Sequence, residues 1–188
     1  MSSTPPTDEL GRIRERIWAE LAAAAAAPGH PWRTAVLATA DPVAEAGCDA
    51  RTVVLREIDV EAQELVFFTD ARSPKVGQIE QRPEAVMVMW SAPLGWQLRL
   101  AVTLGIETSG LAVSSRWARL KMTPAAQDYL SPLPPGTPLN HPCEPERGSR
   151  GHFAVVTASV RRIDWLTLDP EGQRRALFDA AGARWVQP

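Results

Sequence analysis

RTVVLREIDVEAQELVFFTDARSPKVGQIEQRPEAVMVMW, residues 51–90, carries the pattern that decides the fold. Arg51 to Ile58, Leu65 to Thr69 and Ala85 to Trp90 are short runs rich in Val, Leu, Phe and Trp with Asp- and Pro-marked links between them, the signature of strands. Between the second and third runs, Ser73-Pro74-Lys75 opens a helix. Serine suits the N-cap and proline the first helical position, and the helix runs through Gln81 until Pro83 closes it. Strand, strand, short helix, strand with such short links predicts an antiparallel sheet with one small helix inserted.

The same texture extends outward on both sides. Arg33 to Thr39 and Trp96 to Thr103 are two more strands. Upstream of them, Leu10, Ile13, Ile17 and Leu21 recur at helical spacing behind Thr7, Asp8 and Glu9, so an amphipathic helix ends at Pro28 and Gly29. Residues 1–9, rich in Ser, Thr and Pro, read as a disordered tail, which leaves 10–188 as a single domain. Downstream of Gly110 a helix runs through Ser114, Trp117, Leu120 and Lys121. Ser131 to Pro145 then holds six of the 17 prolines and reads as a loop or arm. Phe153 to Leu168 alternates long enough for one bent or bulged strand, and Arg174 to Phe178 and Arg184 to Val186 flank an Ala-Ala-Gly turn as a closing hairpin. Seven or so strands with few helices predict a mainly β (α+β) chain built on a barrel or sandwich.

With 20 Lys plus Arg against 22 Asp plus Glu in 188 residues, the charge balance argues against nucleic-acid binding. The longest apolar run near the N-terminus, Leu21 to Ala27, is nearly all Ala and too short to span a bilayer, so a cytoplasmic protein is expected. Cys48 and Cys143 stand outside any CxxC pairing and read as incidental thiols. His30, His141 and His152 lie in unrelated segments without metal-ligand spacing, so no metal site is expected. Gly105 to Gly110 has the glycine spacing of a phosphate loop, but Leu111 and Ala112 replace the Lys and Ser or Thr that such a loop needs.

What remains is a set of cations and hydroxyls at element ends. Arg51 begins a strand and Arg56 lies five residues on, while Ser73 and Lys75 sit in the first turn of a helix that leaves a strand ending Phe68-Thr69. A helix N-terminus offers free N–H groups and about half a positive charge, and Ser and Lys add donors aimed at an anion. A phosphate monoester fits that set. The plainer reading makes Ser73 an ordinary N-cap and the cations solvated surface. Arg51 and Arg56 are an odd number apart, so a regular strand sends them to opposite faces, and a bulge, or approach from two directions at the strand ends, would be needed to bring both to one anion.

These residues resemble the pyridoxamine 5'-phosphate oxidase-like family of FMN-binding split barrels. The run Arg51-x-Val53-x-Leu55-Arg56 is similar to the family's Arg-x-x-Leu-x-Lys strand. Phe67-Phe68-Thr69-Asp70, then Ser73-Pro74-Lys75 and Gln78-Ile79-Glu80, is similar to its aromatic-Thr-Asn, Ser-x-Lys and helix sequence. Gln97 matches the glutamine that hydrogen-bonds the flavin, and Trp165 and Arg175 keep the ten-residue spacing of the family's flavin-contacting Trp and Arg.

The resemblance implies a split antiparallel β-barrel with a few peripheral helices, forming a homodimer with FMN at the subunit interface. Arg51, Arg56, Ser73 and Lys75 would hold the phosphate, Val54 and Leu55 on the same strand would also contact the cofactor, and Phe68 and Thr69 would meet the ribityl chain or ring. Gln97, Trp165 and Arg175 would meet the ring from the partner's side. The family's substrate positions fall on Trp117, Lys121, Glu171 and Gln173, where Glu171 and Gln173 replace an Arg and a His. A carboxylate there would repel a phosphorylated substrate, and Gln does not titrate near neutral pH. The expected function is therefore a flavin-dependent oxidoreductase acting on some other small molecule. The alternatives are a true pyridoxamine 5'-phosphate oxidase and a non-enzymatic flavin- or haem-binding module.

Overall fold

A computed structural model describes residues 6–139, 151–169 and 172–188. Eight strands form one antiparallel sheet: β1 (Thr34–Ala40), β2 (Cys48–Asp59), β3 (Glu64–Asp70), β4 (Glu84–Ser91), β5 (Trp96–Glu107), β6 (Phe153–Asp169), β7 (Gly172–Asp179) and β8 (Gly182–Val186). Their order is β3-β2-β1-β4-β5-β6-β7-β8, and an added β3–β6 pairing closes the first six into a barrel. The open choice between barrel and sandwich is settled by that pairing, which leaves neither β3 nor the first half of β6 as a bare edge.

The 17-residue β6 explains how the barrel splits. One of its edges pairs with β5 along its length. The other pairs with β3 over residues 153–159 and with β7 over 163–169. The change of partner coincides with a register shift, because Ala101 faces Arg162 while Val102 faces Val160, leaving Arg161 as the extra residue of a bulge. Buried side chains accordingly switch parity along the strand, from Val156 and Ala158 before the bulge to Ile163 and Trp165 after it. The bent or bulged strand expected over 153–168 takes this form. Gly182, at a φ of +110°, makes the turn into β8 that the Ala-Ala-Gly sequence predicts.

Alternation fills the barrel. Leu37, Val53, Leu55, Leu65, Phe67, Met87, Met89, Leu98 and Leu100 point inward and are buried. Helix α1 (Pro6–Ala26) lays Ile13, Ile17, Trp18 and Leu21 on that core, and Arg33 donates to the Ala25 carbonyl at its C-terminal end. Residues 6–9, expected as part of a disordered tail, thus belong to this helix. The helix begins at Pro6, whose fixed φ suits a first turn, and residues 1–5 lie outside the described residues. The short helix α2 (Pro74–Gln81) joins β3 to β4. Helix α3 (Leu111–Leu120) covers the outer face of β3 and β6, where Val113 and Trp117 join Val66, Phe153, Val155 and Tyr129 in a second apolar cluster. Among the described residues no helix is long and apolar enough to cross a membrane.

Candidate functional site

The end of β1, the start of β2, the end of β3 and the start of α2 meet at one rim of the barrel. Thr69 is the last inward-facing residue of β3 before the chain turns through Asp70 and Ser73 into α2. Ser73 occupies the N-cap position, yet its side chain makes no capping hydrogen bond. Its buried Oγ instead lies 3.2 Å from Thr69 Oγ1 and accepts from Lys75 Nζ at 3.1 Å, and Lys75 also donates to Thr69 Oγ1 at 3.0 Å. The capping role that the plainer reading gave Ser73 is not the one it plays.

Lys75 has only neutral hydroxyl partners. Among the described residues it forms no salt bridge, and burial, followed by repulsion from Arg51, lowers its ammonium below the ordinary 10.5. A half-buried cation in the first turn of a helix whose N-cap side chain does not cap it is a site arranged for an anion. An oxygen-rich dianion such as a phosphate monoester would meet the ammonium and two hydroxyls at the first turn of the helix, so the donor set fits that group of FMN.

Arg51 projects toward the same rim from β2. It donates to Thr39 Oγ1 at 2.6 Å, to Gln78 Oε1 at 2.7 Å and to Asp49, whose carboxyl its hydrogen bond holds below the usual range. Gln78, on α2, accepts a further hydrogen bond from Thr39 at 2.7 Å and donates to Asp41 at 2.8 Å. Arg72 faces away from this group. It grips Asp70 with two hydrogen bonds of 3.0 and 2.7 Å and donates to the carbonyls of Ser131, Pro132 and Leu133, tying the start of the Pro-rich arm to the loop before α2. The rest of that arm, from 140 to 145, lies outside the described residues.

Arg56 goes elsewhere. Leu55 faces Phe67 while Glu57 faces Val66, so Arg56 is the extra residue of a bulge. Alternation from Leu55 carries its guanidinium to the outer face, over the Phe68 ring at 5.9 Å, and the bulge does not bring it beside Arg51. Its Nε is buried without a partner, and its charge reaches the Tyr129 phenol, which burial holds above the ordinary value. Val54 is half-buried and Leu55 lies in the barrel core. Phe68 packs edge-on against Phe153 at 5.0 Å on the outer face, opposite to Thr69.

The match to known proteins decides the family. Residues 15–107 match the family profile described as pyridoxamine 5'-phosphate oxidase, FMN-binding domain, a span that contains the whole rim just described. Over these residues the chain carries a pyridoxamine 5'-phosphate oxidase-like, FMN-binding domain. FMN is the cofactor of that family. A pyridoxamine 5'-phosphate oxidase-related, FMN-binding protein from Nostoc punctiforme is similar over 99% of each chain, at 25% identity and a TM-score of 0.68. PhzG from Burkholderia lata, solved with tetrahydrophenazine-1-carboxylic acid, shares the fold at a TM-score of 0.68 and 15% identity, over 98% of this chain and 94% of its own. General stress protein 26 from Bacillus anthracis shares it at 0.52 and 15% identity, over 80% of this chain and 93% of its own. No curated protein matches the chain.

The residues matching the family's ring contacts form a second group at the opposite end of the barrel. Gln97 faces Trp90 on β4 and Leu166 on β6, and Leu166 faces Arg175 on β7, so these side chains share one outward row. Arg175 is held by two hydrogen bonds to Asp164, of 2.9 and 2.7 Å. Trp165 points the other way, 1% exposed, with its ring 5.2 Å from Trp96 and its indole N–H unpartnered. Of the substrate positions, Trp117 is buried against Phe153, Lys121 and Gln173 are exposed, and Glu171 lies outside the described residues.

Sequence reasoning missed Thr39, Asp49, Arg72 and Asp164, and treated Gln78 only as part of a pattern. Asp49 could have been found, since it is two residues from Arg51 and so on its face of the strand. Asp164 pairs with a residue eleven positions away across a hairpin, which spacing does not reveal. The Arg175 hydrogen bonds hold the Asp164 carboxyl below its ordinary 3.8. With the folded value depressed, the stabilisation is present above the unfolded pKa and lost as pH falls through the folded one. Asp164→Asn is therefore expected to flatten the loss of stability on acidification below about pH 4. Urea midpoints followed against pH test this, and identical acid limbs in the two proteins would refute it.

Proposed function

We propose that the chain binds FMN as a homodimer and acts as a flavin-dependent oxidoreductase on a small molecule. The observation that carries the reading is Lys75, a half-buried ammonium with hydroxyl partners only, beside a serine turned away from capping its helix. Ser73, Lys75, Thr69 and Arg51 would hold the phosphate. Phe68 and Arg56, on the outer face of the adjoining strands, would lie along the remainder of the cofactor, with Val54 and Leu55 as the strand backbone beneath.

When bound, the flavin supplies the hydride or electron transfer, and the protein supplies position, electrostatics and exclusion of water. Arg175 keeps a fixed positive charge on its row, and Asp164 fixes its orientation. Gln97 offers an amide to the same region. The phosphate rim and the Gln97–Arg175 row lie about five residues apart along the strands, which is roughly 16 Å, so one flavin reaches both most simply when the row comes from a second subunit.

The outer face supports that dimer. Val36 (44% exposed), Val86 and Trp90 (45% exposed) stand on β1 and β4 beside Gln97, an apolar strip that a second copy would cover. A cleft of about 510 Å³, lined in part by Ala38, Val86, Ala101 and Arg161, continues it. Of the relatives, the cyanobacterial protein is FMN-binding by description and PhzG was solved with a tricyclic carboxylic acid. Loss of the family's substrate Arg and His at Glu171 and Gln173 supports a substrate other than pyridoxamine 5'-phosphate.

The experiment is the visible spectrum of the purified protein, as isolated and after FMN titration and removal of free cofactor, with sedimentation on the same sample. One flavin per subunit on a dimer is the expected result. A colourless protein that ignores FMN would overturn the cofactor assignment, and a monomer retaining a full flavin complement would overturn the shared site.

A further inference from the structure

The two halves of the proposed phosphate site belong to different elements. Arg51 comes from β2, whereas Ser73 and Lys75 come from the start of α2. They carry like charge, and Arg51 repels Lys75, adding to the burial that lowers the lysine pKa. Some contact must hold Arg51 toward the rim against that repulsion and against the pull of Asp49.

We infer that Gln78 is the positioning residue that sets Arg51 for the phosphate, an inference that rests on the phosphate reading above. Gln78 is 8% exposed and stands on α2, one turn beyond Lys75. Its Oε1 accepts from Arg51 at 2.7 Å and from Thr39 at 2.7 Å. Its amide nitrogen donates to Asp41 at 2.8 Å and to Asp49 at 3.4 Å. This arrangement fixes the amide orientation, because exchanging O and N would set donors against donors and a carbonyl against carboxylates.

Gln78 thus links α2 to the Arg51 side chain, and it bonds Arg51 and Asp49 with opposite ends of one group. Asp49 is the competing anion in this arrangement. With Gln78 in place, the guanidinium is shared between Asp49, Thr39 and the helix that carries Lys75. Without it, nothing on α2 retains Arg51, and Coulomb forces turn the guanidinium toward Asp49 and away from Lys75. The loss would fall on the phosphate and spare the ring.

The test compares FMN with riboflavin, which lacks only the phosphate, by titration of flavin fluorescence against the full chain. Gln78→Met keeps the buried volume and removes the four hydrogen bonds. It is expected to lower FMN affinity roughly tenfold and leave riboflavin affinity unchanged. Gln78→Glu places a resident carboxylate against Arg51 and is expected to lower FMN affinity further, again without effect on riboflavin. In an Arg51→Met background, Gln78→Met should add little, since its effect passes through that guanidinium.

Unchanged FMN affinity in Gln78→Met, an equal loss for both flavins, or full additivity with Arg51→Met would each overturn the inference. A native chain that binds FMN no better than riboflavin would instead overturn the phosphate site itself, so the two failures are distinguishable.

Discussion

Lys75→Met is expected to weaken FMN binding by about 1.5–3 kcal/mol, the range for hydrogen bonds to charged groups, which is roughly 10- to 150-fold in Kd. The ammonium is half-buried and its hydrogen bonds go to hydroxyls, with Asp70 and Asp49 attracting it without a salt bridge among the described residues, so its charge is available to an anion. The apoprotein should tolerate the change. Burial holds the lysine pKa below 10.5, so between the folded value and 10.5 the unfolded chain binds more protons than the folded one. The charged form is thus a cost to folding that lessens as pH rises through that window, and the methionine removes it.

The same shift sets the pH dependence of binding. FMN affinity should fall as pH rises through the lysine's range, and this alkaline limb should vanish in Lys75→Met. Equilibrium titration at several pH values checks both statements. A variant that binds FMN as tightly as the native chain, with the same alkaline limb, would remove Lys75 from the phosphate site.

The second large effect concerns the barrel seam. Phe67 is fully buried and pairs with Leu55 on β2 and with Val156 on β6, at the strand that closes the barrel. Phe67→Ala is expected to cost about 3–5 kcal/mol through lost transfer free energy and the cavity left behind. For a chain of this size that corresponds to a fall in Tm of roughly 10 °C. Denaturant midpoints at unchanged m-value provide the measurement. A loss below about 1 kcal/mol would mean that the seam repacks and that closure does not depend on this ring.

How much of this could be read in the sequence depends on the distance over which each feature is decided. The strands, α1, α2 and α3 were legible because alternation, helical spacing and the Ser-Pro start are local patterns. Residues 6–9 were misjudged because composition was weighed above the proline that starts the helix. The Arg51–Arg56 spacing put the two cations on opposite faces of a regular strand, and the bulge at Arg56 does not bring them to one place. What the spacing could not say is which contacts each cation would find, Phe68 for Arg56 and Thr39 with Gln78 for Arg51.

The chain by itself determined the element types, the mainly β class and the cluster of Ser73 and Lys75 at a helix start, since these depend on neighbours within one turn or one strand. Only the tertiary structure decided that β3 closes on β6, that Arg161 reverses the burial parity of β6, that Ser73 does not cap, and that Gln78 joins Arg51 to α2. Each of these rests on contacts between segments far apart in the chain. A shift of one residue in register sends every side chain of a strand to the opposite face, so such contacts are fixed by packing and not by local pattern.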